Sequence, residues 1–597
     1  MSTRSVPLRF PEPQRPKPKL VQLRQSRISV ARLRAGFWIF GILFAAMQAW
    51  AFRYYVSADA ISYLDMSDGV MPGGDWHRLI NGVWSPLYPF LLGVFRRILH
   101  VSPANEIVAG HLLNLAFFLF AFACFEVLLR RAMRKIEVAP DLQWIFPTVA
   151  YSLFLWGSIV KISLTSLRAD MLMSGFVYLS AAILLHMKDR EARWNEYCLL
   201  GVVVGTGILA KEPMLPLGVV ILAATLFAVK NWRPALKMVA VSSLIFLATG
   251  SLYFLPLSLS RGRFTLGESG TFNYLVYVDQ ARPLWYLQDA GLASGGFVHS
   301  PQKIYSNPSA YVFSHDSLVT HPLRFDPSDW IIGAHVRFAA KNQLRTCLEN
   351  VPKLARSLVQ LSPVLLLIVV MGVTSRRNRA PFKSLLRKAW PIWLIGLTGL
   401  AMYVPLRIES RYIGAFLALL FMGAVFSFDL LSSASRRVLT ASAVFAVLGL
   451  LLPVFVTSAQ RYLESLRIQN ADADAAAELA KLGINLGDRV ARISPTVTDL
   501  GIERIARVEV VAEVAIGDAH RFWISPSSDQ NVILGLFASN GARAVIATAP
   551  DSLNALHGWS RLGSTHYWVW LPNTATGAAF HEFTGKSFDK KLTESGL

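Results

Sequence analysis

Cysteine is scarce in this chain. Only Cys124, Cys198 and Cys347 occur in 597 residues, and the first two lie inside apolar runs, so no disulfide framework or CxxC metal site is visible. Charge is scarce too. Asp, Glu, Lys and Arg make up 16% of the chain, against roughly 25% in an average soluble protein. Acidic charge is the scarcer sign, with 38 residues against 59 basic ones and a net charge of +21. No internal repeat is evident. His77 and His111 stand in no His, Cys or carboxylate spacing that would suit zinc.

What is abundant is apolar sequence. Hydrophobic residues make up 53% of the chain and the mean hydropathy is +0.41, which points to a polytopic membrane protein. The basic excess sits in short clusters between apolar runs, where Lys and Arg mark cytoplasmic loops. That placement argues against a nucleic-acid binder. Runs long enough to span, allowing for tilt, fall at 36–52, 106–129, 143–160, 169–186, 196–210, 213–230, 236–257, 357–373, 389–405, 412–430 and 438–456, about eleven helices. Ala49-Trp50-Ala51 resembles a signal-peptide cleavage site. The long tail before it and the many runs after it favour an uncleaved anchor. With the N-terminus inside, every inner connection is basic: Arg130–Lys135, Lys188–Arg193, Lys230–Lys237, Arg376–Lys388 and Arg436-Arg437.

The expected fold class is therefore mainly α. It is a polytopic helical bundle with a small C-terminal extracytoplasmic α/β domain. Residues 1–35, rich in Pro, Arg and Lys, read as a disordered basic cytoplasmic tail. Residues 36–456 form the transmembrane domain, with a first outer loop at 53–105 that carries interfacial helices. A long outer loop at 258–356 reads as an irregular, partly ordered cap. From 457 to 597 helical stretches alternate with short apolar runs at 490–494, 508–514, 542–547 and 566–571, the pattern of a small α/β domain. It carries no GxGxxG or P-loop, so nothing supports nucleotide binding there. The implied location is the cell (inner or plasma) membrane.

On this topology unusual polar residues gather in outer connections. Asp59, Tyr63 and Asp65 follow the first run, and Trp84 and Tyr88 come later in the same loop. Arg168 and Asp170 open the fourth run, Lys211 and Glu212 split the fifth from the sixth, and Arg407, Glu409, Arg411 and Tyr412 precede the tenth. Each has an ordinary explanation. Asp59 would make a good helix N-cap, and Arg168 and Lys211 would make snorkelling anchors. Glu409 and Arg411 would make a surface ion pair of little worth, and the aromatics an interfacial belt. The coincidence of acids and bases in four connections facing one compartment argues for function.

The layout resembles the GT-C superfamily of polytopic glycosyltransferases, whose members include protein O-mannosyltransferases and lipid A aminoarabinose transferases. The resemblance covers roughly residues 36–456. It is carried by Asp59-Ala-Ile-Ser-Tyr63-Leu, Trp84-Ser-Pro86-Leu-Tyr88-Pro89, Asp170, Leu209-Ala-Lys211 and Glu409-Ser-Arg411-Tyr412. Ala58 stands where many members carry a second acid, which leaves Asp59 and Asp65 both open as the base. The resemblance implies inverting transfer of a sugar from a polyprenyl-phosphate donor to a hydroxyl acceptor. Asp59 and Asp170 would be the catalytic carboxylates. Lys211, Arg411 and Arg168 would hold the donor phosphate. Tyr63, Asp65, Trp84, Tyr88, Glu409 and Tyr412 would orient groups or bind substrate. It names no certain cofactor and leaves a divalent metal open. The expected partners are the lipid-linked donor, the acceptor and membrane lipid. Two rival classes are a transporter or flippase, which would place charges near helix midpoints, and a membrane-anchored binding protein working through its C-terminal domain.

Overall fold

The computed structural model describes residues 30–280, 301–313, 319–376, 382–430, 436–496, 499–549 and 558–572. Most of the expected tail, the segment 281–300 of the long loop and the last 25 residues (573–597) lie outside the described residues. Each of the eleven apolar runs is helical. They are α1 (Val30–Ala51), α4 (Glu106–Met133), α5 (Ile145–Leu155), α6 (Asp170–Met187), α7 (Trp194–Ala210), α8 (Met214–Ala228), α9 (Trp232–Arg261), α13 (Ser362–Arg376), α14 (Phe382–Tyr403), α15 (Ser410–Val425) and α16 (Arg436–Ser465). Among the described residues six helices are long and apolar enough to cross a membrane. A seventh candidate is α12 (Ala340–Gln360) joined to α13 across a 66° bend. The chain is a multi-pass membrane protein. Its first helix already includes Val30–Ala35, a basic stretch that precedes the apolar run.

The breaks between helices follow local chemistry. Lys211-Glu212-Pro213 ends α7, since a proline cannot donate the next helical bond. The helix begun by α5 widens into a π-helical turn at Trp156–Ile162, and Ser163, at φ 65°, stops it. Gly157 in that turn faces Gly414 of α15. A Cβ on Gly414 would stand 2.7 Å from the Gly157 carbonyl oxygen, so the two backbones meet only because both residues lack one.

Before α4 lie two shorter helices, α2 (Ala58–Ser67) and α3 (Leu87–Ile98). Ser57 caps α2 by accepting a bond from the Ala60 amide. The cap is therefore Ser57 and not Asp59, which sits one residue inside the first turn. After α9 come α10 (Ser269–Tyr277) and the single turn α11 (Pro322–Phe325).

The C-terminal region contains α17 (Ala471–Lys481), α18 (Gly501–Ala506), α19 (Ala519–Ile524) and α20 (Ser527–Ser539) around a mixed sheet. Among the described residues its strands are β1 (Gln302–Ser306), β2 (Ser309–Val312), β3 (Arg489–Ile493), β4 (Glu509–Val514), β5 (Ala544–Thr548), β6 (Trp559–Arg561) and β7 (Tyr567–Trp570). Their spatial order is β1-β2-β4-β3-β5-β7-β6. β3 runs parallel to β4 and β5, and the other pairings are antiparallel. The long loop is thus more than an irregular cap. It contributes the hairpin β1–β2 that extends the C-terminal sheet, with Ala310 opposite Val514.

Strand alternation divides the sheet between two cores. Val490, Val510, Ala544 and Ile546 face a cluster continuous with the helical bundle. Their neighbours Ala491, Val511 and Val545 face a second cluster with Phe522, Ile533 and Phe537. The sheet domain is therefore packed onto the bundle through an apolar face, at the end that carries α2.

Candidate active site

Four connections bring their polar residues to this end of the bundle, and Arg411 in the first turn of α15 joins them. Its Nη1 donates to Asp59 Oδ2 at 3.1 Å and stands 3.6 Å from Asp170 Oδ2. Its Nε donates to Glu409 Oε2 at 2.7 Å and its Nη2 to the Tyr412 hydroxyl at 3.1 Å. Lys211 Nζ donates to Asp170 Oδ1 and lies 4.5 Å from the centre of the Tyr412 ring. Arg168 Nε is 3.7 Å from Asp59 Oδ2. Arg407 pairs with Glu409 and covers the Tyr277 ring at 4.0 Å. The Glu409–Arg411 pair is not the exposed pair that sequence alone allows, because the Arg411 side chain is only 14% exposed.

The two carboxylates differ. Asp170 is buried, with one oxygen on Lys211 and the other facing Arg411. Asp59 is 26% exposed, and its Oδ1 takes no hydrogen bond among the described residues. Burial raises the Asp59 pKa, but Arg411 and then Arg168 outweigh it, and the carboxyl is held below its ordinary value. It is ionised at neutral pH and keeps an oxygen free. The Lys211 pKa is lowered as well, here by burial, against the opposing pull of Asp170.

Aromatic side chains form the floor. Tyr63 stands four residues after Asp59 on α2 and packs on Trp84 and Tyr88, with ring centres 5.4 and 4.7 Å away. The Tyr88 hydroxyl donates to Asn114, and Asn114 in turn donates to the Ser166 carbonyl. The Ser166 hydroxyl bonds Ser57 at 2.6 Å, so the connection bearing Arg168 is tied to the start of α2. Two donors here, Arg168 Nε and Trp84 Nε1, are buried without a hydrogen-bond partner among the described residues. Glu212 faces elsewhere and accepts the Ser269 and Gly270 amides at the start of α10.

Asp65 is the expected site residue that the structure places apart. It lies on the last turn of α2, fully buried, and accepts from Thr320 N and Oγ1 at 3.1 and 2.8 Å. Arg504 of the sheet domain bonds it at 2.6 Å. Nearly two helical turns separate it from Asp59, and it belongs to a contact between the bundle and the sheet domain. That contact also includes Asp68, Arg96, Glu106 and Arg507. Sequence reading missed it because its members come from distant segments. Among the described residues, no three His, Cys, Asp or Glu side chains gather as a metal site.

Taken together, the fold and this end of the bundle define a multi-pass membrane protein with a charged site roofed by a mixed-sheet domain. No protein-family model and no curated protein matches the chain. Solved structures do. ArnT from Cupriavidus metallidurans bound to undecaprenyl phosphate matches with a TM-score of 0.50 and 14% identity, over 91% of this chain and 98% of that one. The same protein in its apo state matches at 0.49 and 15%, over 90% and 98%. The archaeal oligosaccharyltransferase AglB from Archaeoglobus fulgidus, in complex with an inhibitory peptide and a dolichol-phosphate, matches at 0.43 and 10%, over 87% and 70%. The first of these shows the fold. This chain shares the fold of that structure, the mainly helical membrane architecture that the sequence leads one to expect.

Proposed function

We propose that the chain is a membrane glycosyltransferase that moves a hexosyl or pentosyl group from a polyprenyl-phosphate donor to a hydroxyl on a lipid, glycan or protein, at the extracytoplasmic face. The observation that carries this reading is the pairing of Asp59 with Arg411 and Arg168, and of the adjacent Asp170 with Lys211, at one end of the bundle. An ionised carboxylate with a free oxygen stands beside cations that retain unused donors. Asp59 takes the proton of the acceptor hydroxyl. The acceptor oxygen forms a bond to the anomeric carbon from the face opposite the lipid phosphate, and the carbon–phosphate-oxygen bond breaks with inversion. The leaving phosphate meets Arg168, Lys211 and Arg411, whose fixed positive charge stabilises it more as its own charge grows.

Asp170 takes a different part from the one the resemblance implies. With both oxygens engaged, it orients Lys211 and Arg411 rather than exchanging protons. Tyr412 supports both cations, Glu409 aims the Arg411 fork, and the partly exposed Trp84 offers an aromatic face to a sugar, backed by the buried Tyr63 and Tyr88 rings. Undecaprenyl phosphate bound to a neighbour of the same fold supports a lipid-phosphate donor. The reading is tested by supplying purified protein in proteoliposomes with a panel of undecaprenyl-phosphate donors carrying tritiated glucose, mannose, galactose or aminoarabinose. Membrane lipid, glycan and protein fractions serve as acceptors. Transfer of label from at least one donor is expected, and no transfer from any lipid-phosphate sugar contradicts the reading.

A further inference from the structure

We propose that Arg504 is a positioning residue for Asp59, through which the C-terminal sheet domain grips the far end of α2 and so fixes the carboxylate at its near end. This rests on Asp59 being the base. Arg504 is buried on α18, with its side chain 2% exposed. Its Nη1 donates to Asp65 Oδ1 at 2.6 Å and to Asp68 Oδ2 at 2.7 Å. Its Nη2 donates to Asp68 Oδ1 at 2.8 Å and to Glu106 Oε2 at 2.9 Å, and its Nε to Glu106 Oε1 at 2.7 Å. Every nitrogen of the fork is engaged. Arg507 adds bonds to Asp68 and Glu106. From α3, Arg96 reaches Ser67, Asp68 and Glu106.

Three carboxylates thus meet three guanidiniums in a largely buried cluster, with Arg78 a fourth at 3.9 Å from Asp68 on its rim. Such a cluster is a poor source of stability, since removing both signs from water offsets their attraction. What it supplies is geometry, because a forked donor on paired carboxylates admits few arrangements. Docking of the sheet domain does not depend on it, as the apolar face of the sheet already joins the bundle core.

The lever is α2 itself. It has ten residues and is about 15 Å long at the usual rise. Ser57 and Asp59 stand at one end, Asp65 and Asp68 at the other. Tilting a rigid rod of that length by about 5° displaces its end by about 1 Å, an error that costs about a hundredfold in rate at a reacting group. Thr320 on Asp65 and the Ser62 hydroxyl on the Arg324 carbonyl hold the middle and end of α2 to the long loop. The grip therefore involves the sheet domain and the loop segment leading from β2. Around Asp59 itself stand Arg411 and Arg168, which lower its pKa, and Asp170, which raises it. Glu409 and Tyr412 contact Arg411 from the far side, and Tyr63 lies on the same helix.

The test uses the full chain in detergent and three variants. Arg504→Met is the direct change, but it takes one positive charge out of the cluster and leaves all three carboxylates in place. The pair Arg504→Met with Asp65→Asn leaves the net charge of the cluster unchanged, and Arg504→Lys keeps charge without the fork. Hydrogen exchange is followed in peptides covering residues 58–67, β3 and β5. Turnover of the tritiated donors is followed from pH 4 to 8, with Asp59→Asn in parallel. In the paired variant, exchange at 58–67 is expected to rise about tenfold with the strands unchanged. Turnover should fall by about a hundredfold with donor KM within about twofold. The acid limb of the turnover profile should move to higher pH as Asp59 leaves its cations, and Arg504→Lys should be intermediate. A merely structural role would lower the yield of folded protein without moving that limb. Unchanged exchange at 58–67 overturns the tie whatever the donor result. Faster exchange with wild-type turnover and an unmoved acid limb overturns it as well. An Asp59→Asn protein at wild-type turnover would instead overturn the base, and the exchange result would show separately whether the grip exists.

Discussion

Arg411 is the residue on which the other site groups converge, and its planar fork explains why. Three of its nitrogens reach Asp59, Glu409 and Tyr412 in different directions, which an ammonium cannot reproduce. Arg411→Lys is therefore expected to lower turnover by at least about tenfold at normal expression, with Glu409→Gln milder, both read by donor turnover in proteoliposomes. Lys211→Ala should lower kcat and not only donor affinity, because leaving-group charge grows in the transition state. A pure rise in KM would restrict Lys211 to ground-state anchoring. Sequence made these residues legible because a charge inside a connection between two apolar runs has few places to go. It could not separate Asp59 from Asp65. Both fall on the same short helix, and only the fold shows that one faces Arg411 and the other faces Arg504. Nor did it show that Ser57, and not Asp59, caps that helix.

At the scale of elements, the apolar runs were legible as helices but not in their ends, as at α16, which continues to Ser465 where the apolar run stops at 456. The strands β3, β4, β5 and β7 were legible as short apolar runs between helical ones. β1 and β2 were not, because Gln302–Ser306 is a polar edge strand and its neighbour β2 pairs with β4, some 200 positions away. The buried polar contacts of the sheet domain have a consequence for pH. Burial pushes the Glu503 carboxyl up to about 7, only partly opposed by Arg492, whose Nε lies 3.3 Å from it. A carboxyl that binds its proton more tightly when folded than when unfolded makes stability fall as pH rises through that window. The effect spans about pH 4.5 to 7 and is on the order of 3 kcal/mol. Glu503→Gln should flatten the dependence of the melting temperature over that range, and an unaltered slope would assign it to other groups. Breaking the neighbouring cluster with Arg504→Met alone should cost about 3–5 kcal/mol, the usual result of leaving a buried charge without its partner, measured by thermal melting of the purified protein.

For the whole molecule, the sheet domain and the charged site share one end of the bundle, so their sidedness must agree. The basic connections at the other end lead us to expect this end outside. Reporter fusions after Ser57 and after Ser465 are expected to report outside, and fusions within 131–140 inside. Opposite reports for Ser57 and Ser465 would contradict the contact of α2 with α18. The central claim is a proton-accepting Asp59 in sugar transfer from a lipid phosphate, and turnover of the tritiated undecaprenyl-phosphate donors by wild type and Asp59→Asn side by side tests it most directly. The substitution keeps size and hydrogen-bonding shape but removes the base. The account predicts transfer by the wild type and a loss on the order of a hundredfold or more in Asp59→Asn at equal expression; equal turnover by the two proteins would contradict it.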